Sequence, residues 1–225
     1  MRIGIDIDGV LTDIEQWQLD YGSRFYYENY NKPIINHKGY DTYEIFDAEI
    51  KYDDKFWFKY FKDYSINVPI RNFASEVIEK LKNDGNEIFI ITARGSFLSH
   101  SAAVMNLEEN KKIVLEWLKK NNIYYDEIIF SPEDKLDICL KNNINIMIED
   151  KPKNINDIST MLPVICFHAG YNEECNGDHI IRCYSWYDVY YKINNIDKFV
   201  WNKTIIEIGL STKCPISFFY LKCLL

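Results

Sequence analysis

The sequence predicts an α/β protein: a mostly parallel sheet with helices on both faces, and a helical insertion after the first strand. Three observations carry that prediction. The chain opens on an apolar run that ends in carboxylates and a glycine, Ile5-Asp6-Ile7-Asp8-Gly9. From residue 73 to 194, short β-branched runs alternate with amphipathic helical stretches, the pattern of a parallel sheet with helical crossovers. Between the first strand and the next, which does not begin until about Asn86, lie some seventy residues, too many for an ordinary crossover. In such sheets ligands sit at the carboxyl ends of the strands, which gives each polar motif a positional test.

The opening run reads as a buried strand that delivers two acids into a glycine turn. Residues i and i+2 of a strand face the same way, so Asp6 and Asp8 are expected to project together. Residues 13–30 follow with Ile14, Trp17, Tyr21 and Phe25 at helical spacing. A break at 33–39, a stretch at 43–50 and an aromatic-rich run at 55–61 complete the insertion. Residues 73–83 form a helix that Gly85 is placed to stop, and 87–92 a buried strand. Residues 107–122 form an amphipathic helix on Ile113, Val114, Trp117 and Leu118. A strand at 127–130, a helix at 134–141 and a strand at 145–148 ending in Glu149-Asp150 come next. Strands at 163–167 and 179–183 and a helix at 185–194 close the pattern. The expected organisation is a core of 1–12 and 73–197, an insertion of 13–72 and a tail of 198–225. The apolar run at 216–221 in that tail is far too short to span a bilayer. It packs on the core or forms a contact between copies of the chain; the sequence leaves both open, and with them a homo-oligomer.

Composition narrows the function. With 225 residues the chain is long enough for one large domain or a core plus an insertion. A net charge of −8 disfavours a broad surface for duplex nucleic acid, yet a local site holding a metal still takes a small anion. No signal-peptide layout and no run of 18 apolar residues is present, so no membrane association is expected. The six cysteines form no C-x-x-C pair. Reduced thiols in a cytoplasmic protein are expected, with Cys139 and Cys166 in the core.

Polar groups fall at the strand ends where the positional test asks for them. Asp6 and Asp8 end the first strand. Thr92 ends another in Ile91-Thr92-Ala93-Arg94-Gly95, and Glu149 and Asp150 a third in Ile148-Glu149-Asp150-Lys151-Pro152. Lys135 begins a helix just after Ser131-Pro132. Adjacent buried acids repel one another unless a cation or a shared proton relieves them, and Mg²⁺, which favours carboxylates plus phosphate oxygens, does so. Carboxylates from separate strands, a cation and a hydroxyl at one sheet edge suit phosphoryl transfer. One carboxylate attacks phosphorus, a second protonates the leaving oxygen, and the cations offset charge on the phosphoryl oxygens. Each residue also has an ordinary reading. Asp6 and Asp8 would then face water, Thr92 would be a strand threonine and Lys135 a helix-start lysine, although the helix dipole disfavours a cation there. Arg94 is either a solvated loop residue or a contact to a substrate phosphate or carboxylate. Trp17, Tyr21, Phe25, Tyr43, Phe46, Trp57 and Phe58 chiefly build the insertion's own core, with a base-stacking wall among them as the functional alternative. His37, His100, His168 and His179 read as structural or exposed, and Lys151 and Lys153 as surface charges.

Asp6-x-Asp8-Gly9-Val10-x-Thr12 resembles the first motif of the haloacid dehalogenase (HAD) superfamily of phosphatases. Thr92, Lys135 and Glu149-Asp150 match its second, third and fourth motifs in order, over residues 1–194. The Ile91–Gly95 segment spelled above, Glu116-Trp117-Leu118, Tyr125-Asp126-Glu127 and Ile148-Glu149-Asp150-Lys151-Pro152 are similar to the 5′-nucleotidase branch that includes the 5′(3′)-deoxyribonucleotidases. The resemblance implies a Rossmann-like core with a helical cap at 13–72. It implies an Mg²⁺-dependent phosphatase that hydrolyses small phosphomonoesters, nucleoside or deoxynucleoside monophosphates first, through an aspartyl-phosphate. Asp6 would be nucleophile and metal ligand. Asp8 would be general acid and base, binding metal through its backbone carbonyl. Thr92 would bond a phosphoryl oxygen with Gly9, Ala93 and Arg94 as further substrate contacts, and Lys135 would neutralise charge. Asp150 would complete the metal site with Glu149 as direct or water-mediated helper, the choice between them left open. A second acid at Asp8 disfavours dehalogenation. A sugar phosphate or nucleic-acid 3′-phosphate as substrate, a phosphomutase and a non-catalytic phosphate sensor are the alternatives.

Overall fold

A computed structural model of the chain describes residues 1–94, 106–131 and 134–200. Six strands form one parallel sheet in the order β3-β2-β1-β4-β5-β6. They are β1 (Arg2–Ile5), β2 (Glu87–Thr92), β3 (Glu127–Phe130), β4 (Ile146–Glu149), β5 (Val164–Phe167) and β6 (Ile180–Cys183). Their composition is the reason they are central. Inside their polar ends, β1, β2 and β4 carry Ile, Gly, Phe and Met, buried on both faces, as a sheet covered by helices on each side requires.

This order reverses direction at β1, whose neighbours are β2 on one side and β4 on the other. A crevice opens outside the carboxyl ends of strands at such a reversal. Ile5 pairs with Ile148 across it, and the Asp6 amide donates to the Ile148 carbonyl at 3.1 Å. The register therefore sets Asp6 beside Glu149 and Asp150.

Helices cover both faces: α4 (Ala74–Asn83), α5 (Leu107–Lys120), α6 (Lys135–Lys141), α7 (Pro152–Ser159), α8 (Trp186–Asn194) and α9 (Ile196–Val200). Between β1 and α4 come α1 (Ile14–Tyr30), α2 (Thr42–Ile45) and α3 (Ile50–Asn67), the expected helical insertion. Its buried Trp17, Phe25, Tyr26, Phe46, Phe56 and Tyr64 are continuous with the apolar layer on one face of the sheet. Its two connections are tied together: Thr12 bridges Ile70, and Arg71 reaches the Thr12 and Gly9 carbonyls and the Asp13 carboxylate.

Three expectations need correction. β1 stops at Ile5, so Asp6 and Asp8 do not share a strand face; the chain turns between them toward Gly9, whose φ is +78°. The stretch at 43–50 is two elements, because Asp47 takes φ +45° and ends α2 before α3 begins. Helix α7 is not among the elements predicted from the sequence: only Ile155 and Ile158 mark its inner face, and Pro152 is a tolerated first residue. The tail's apolar run, His100, Cys214 and Cys223 lie outside the described residues. Cys139, Cys166, Cys175 and Cys183 are buried free thiols.

Candidate active site

Burial of charge is concentrated at the crevice. Asp6, Glu149, Asp150, Lys135 and Arg94 are all buried at the carboxyl edge of the sheet. One carboxylate oxygen each of Asp6, Glu149 and Asp150 lie within 4.8 Å of one another. The Lys135 ammonium, at the start of α6, donates to Asp6 Oδ2 at 2.6 Å and Glu149 Oε2 at 2.9 Å. The other Asp6 oxygen accepts the Ile7 amide at 2.8 Å. Both Glu149 oxygens are engaged, since Asn154 Nδ2 donates to its Oε1 at 2.6 Å. At Asp150 the Tyr171 hydroxyl donates to Oδ2, and Asn172 Nδ2 donates to its backbone carbonyl at 2.8 Å. A side chain at Gly9 would strike this carboxylate, a Cβ there falling 1.8 Å from Asp150 Oδ2. Positive φ and that close approach together demand glycine.

Three acids against one ammonium leave this side of the site with excess negative charge. Burial lifts the Asp6 carboxyl to about 7 even though Lys135 pulls the other way, with Glu149 and Asp8 adding to the rise. Burial, then Glu149 and Asp6, lift Asp150 well above the usual carboxylate range. Hard carboxylate oxygens with surplus charge are the donor set of Mg²⁺, so these residues fit a divalent ion. Asp6 and Glu149 each accept one hydrogen bond on either oxygen, whereas the Asp150 carboxylate is engaged at Oδ2 by Tyr171.

Asp8 is in a different setting. It accepts from Arg94 Nε at 3.1 Å to each oxygen, and from Arg94 Nη2 and the Tyr64 hydroxyl at Oδ1. Burial alone would raise its pKa, but the Arg94 guanidinium outweighs that and holds Asp8 below the ordinary value. Arg94 stacks over the Tyr64 ring at 4.8 Å and Trp117 at 5.3 Å. Its Nη1 is buried and without a hydrogen-bond partner among the described residues.

A cavity of about 110 Å³ separates the two settings. Asp6, Asp8 and Lys135 line it together with Ala93, Asn154, Tyr40 and Lys151. Thr92 is buried beside it, its Oγ1 accepting the Arg94 amide at 3.0 Å and turning the chain so that Ala93 reaches the wall. Sequence reasoning missed Tyr40, which the insertion extends over the acids, and took Lys151 for a surface charge. Lys151 instead stands 4.9 Å over the Tyr40 ring in the cavity wall, whereas Lys153 pairs with Asp157 at 2.8 Å. None of the aromatic residues suspected of forming a base-stacking wall lines this cavity. Trp17 packs between Tyr21 and Trp57, ring centroids 4.5 and 5.6 Å away, and Phe46 stacks on Tyr26 at 4.5 Å. A lone tyrosine in a polar loop carries no periodic signal, so only the three-dimensional path of the loop shows Tyr40.

Comparisons with known proteins agree with this geometry. Residues 1–199 match the family described as 5′ nucleotidase, deoxy (pyrimidine), cytosolic type C protein. A nucleotidase of Clostridium acetobutylicum is 27% identical over 195 residues, covering 84% of this chain and 92% of that protein. Among solved structures, a predicted phosphoglycolate phosphatase from Haemophilus somnus aligns with a TM-score of 0.54 at 17% identity, over 85% of this chain and 96% of that one. A HAD-superfamily hydrolase from Geobacter sulfurreducens aligns with a TM-score of 0.51 at 12% identity, over 87% and 98%. At such identities the structural matches speak for the fold alone.

Proposed function

Because the chain belongs to the cytosolic type C 5′-nucleotidase family and has the HAD-superfamily hydrolase fold, we propose that it is a phosphatase of nucleoside 5′-monophosphates that works through an aspartyl-phosphate. The observation that carries this reading is one cavity with Asp6 on Lys135 at one wall and Asp8 on Arg94 at the other.

In this mechanism Asp6 attacks phosphorus, and the P–O bond to the leaving group breaks as Asp8 gives that oxygen a proton. Asp8 then takes a proton from the water that attacks the aspartyl-phosphate, releasing inorganic phosphate and restoring the Asp6 carboxylate. Lys135 offsets charge between nucleophile and phosphoryl group. Thr92 and the Gly9 and Ala93 backbone hold the phosphoryl oxygens, while Arg94, buried and paired with Asp8, orients that acid. Asp6, the Asp8 carbonyl and Asp150 would hold Mg²⁺, with Glu149 as a direct or water-mediated helper that also bonds Lys135 and Asn154. The bound ion supplies Lewis-acid stabilisation of the phosphoryl oxygens. The insertion acts as a cap, Tyr40 and Lys151 forming the wall that meets the leaving group.

A panel of nucleoside monophosphates, sugar phosphates and p-nitrophenyl phosphate, assayed with and without Mg²⁺, tests the proposal. Native protein is expected to hydrolyse nucleoside 5′-monophosphates with the highest kcat/KM, only with the metal, and Asp6→Asn to lower kcat by roughly 10³-fold or more. Native rates in Asp6→Asn would refute the mechanism; a sugar phosphate heading the panel would refute the substrate.

A further inference from the structure

Tyr64 comes from α3 in the insertion, 56 residues from Asp8 in sequence, yet its hydroxyl donates to Asp8 Oδ1 in the candidate site. Its surroundings fix the direction of that bond. A phenol has one hydrogen and two acceptor lone pairs. Arg94 Nη2, which can only donate, points at the Tyr64 oxygen at 3.1 Å. Thr12 Oγ1 lies at 3.1 Å from the same oxygen. Thr12 has one hydrogen, which the Ile7 carbonyl also faces at 3.4 Å. With the Tyr64 hydrogen given to a carboxylate, a bond in the nearer Thr12–Tyr64 pair has Thr12 as donor. The Tyr64 O–H is committed to Asp8. The ring is held too, stacked under Arg94 and 4.6 Å from Trp17, and Tyr64 is 2% exposed.

These bonds load the two oxygens of Asp8 unequally. Among the described residues, Oδ1 accepts from Tyr64, Arg94 Nη2 and Arg94 Nε, whereas Oδ2 accepts from Arg94 Nε alone. A proton destined for a leaving group rides on the oxygen with the fewer competing donors.

We propose that Tyr64 is a positioning residue for the reaction: the hydroxyl of this insertion residue pins Asp8 Oδ1 so that Oδ2 carries the proton to the leaving oxygen. This rests on the phosphatase reading above. It adds that the insertion, besides walling the cavity, orients the acid. Tyr64 touches neither phosphorus nor leaving group; it acts through Asp8, with Thr12 ordering its hydroxyl. The proton balance is that of the first step. Asp8, a carboxylate beside Arg94 in the free protein, takes up one proton with the entering phosphomonoester. That Oδ2–H is consumed as the leaving alkoxide becomes an alcohol, and it is regenerated when water attacks.

Acid positioning shows itself in dependence on the leaving group. An alkoxide needs a proton to depart, and p-nitrophenolate does not. The experiment is steady-state kinetics of the full chain with Mg²⁺ on thymidine 5′-monophosphate and p-nitrophenyl phosphate, comparing native, Tyr64→Phe and Thr12→Val proteins. Tyr64→Phe keeps the ring and removes only the bond, and is expected to lower kcat on the alkyl ester by about 10-fold or more and on the aryl ester by less than about threefold. Thr12→Val is expected to move the same ratio in the same direction by a smaller factor, and it reads the proposal should Tyr64→Phe fold poorly. Equal losses on both esters, or none on either, would overturn it. Asp6→Asn separates the two claims: if that variant is inactive while Tyr64→Phe loses evenly, only the positioning role falls, and if it keeps native rates, the phosphatase reading falls first.

Discussion

The two walls of the cavity are built differently. The Asp6 wall draws all its charges from the sheet edge and α6: three buried carboxylates share one ammonium, Lys135. The Asp8 wall is close to electrically balanced, one carboxylate against Arg94, and it borrows Tyr64 from the insertion. Charge surplus on one side and neutrality on the other teach that the two acids, alike in sequence, are prepared for opposite tasks. Asp6 and Asp150 await a cation, and Asp8 is oriented by fixed donors.

The largest effect separating the walls is expected on chemistry at Asp8. Asp8→Asn removes the transferable proton, so kcat on a nucleoside monophosphate falls by about 10²- to 10⁴-fold. On p-nitrophenyl phosphate the first step is spared, and the loss there is smaller. Equal losses would erase the distinction between the walls.

Lys135→Met probes the surplus directly. Removing Lys135, the one cation bonded to this acid cluster among the described residues, costs about 3 kcal/mol or more, read as a drop in the chemical-denaturation midpoint of metal-free protein. Mg²⁺ should recover part of that loss, because the acids are left more dependent on an ion. A midpoint equal to native would mean that the acids are already neutral.

The smallest effect is a slope. Asp6 is raised to about 7 and Asp150 is raised as well, so between pH 4 and 7 these two groups bind more protons in the folded metal-free protein than in the unfolded chain. Their contribution to stability is therefore most favourable below the ordinary carboxylate range and declines as pH rises toward 7. Saturating Mg²⁺ is expected to flatten or invert that slope. Asp8, held low by Arg94, has the opposite sign: its contribution is present above the ordinary carboxylate pKa and is lost in acid. Denaturation midpoints across this pH range, with Mg²⁺ and with a chelator, measure both. An identical rise with pH in the two conditions would contradict the charge surplus.

The same contrast explains what could be read in advance. The Asp6 wall was legible because each group ends a strand, and strand ends of Ile-rich runs are easy to locate: Asp6, Thr92 and Glu149-Asp150 follow such runs directly. Lys135 was legible as a cation where the helix dipole disfavours one. The Asp8 wall was only half visible. Arg94 was noticed for its place after Thr92, but its pairing with Asp8 depends on the turn after Ile5, which a period-two reading carried straight through. Tyr64 and Tyr40 could not be found, since both belong to an aromatic-rich insertion whose other rings pack on one another, and nothing local tells a ring in the core from one over the site. Lys151 was misjudged for a related reason: without α7, its side chain had no wall to join.

The central claim, that Asp6 takes the phosphoryl group while Asp8 serves the proton, is tested most directly by trapping. Asp8→Asn protein is mixed with p-nitrophenyl phosphate and Mg²⁺, quenched in acid, and its peptides are weighed by mass spectrometry. The account predicts a phosphoryl group on Asp6, formed in step with a stoichiometric burst of p-nitrophenolate and absent when a chelator is present. A full burst with no phosphoryl group on Asp6, or with the group on another residue, would contradict it.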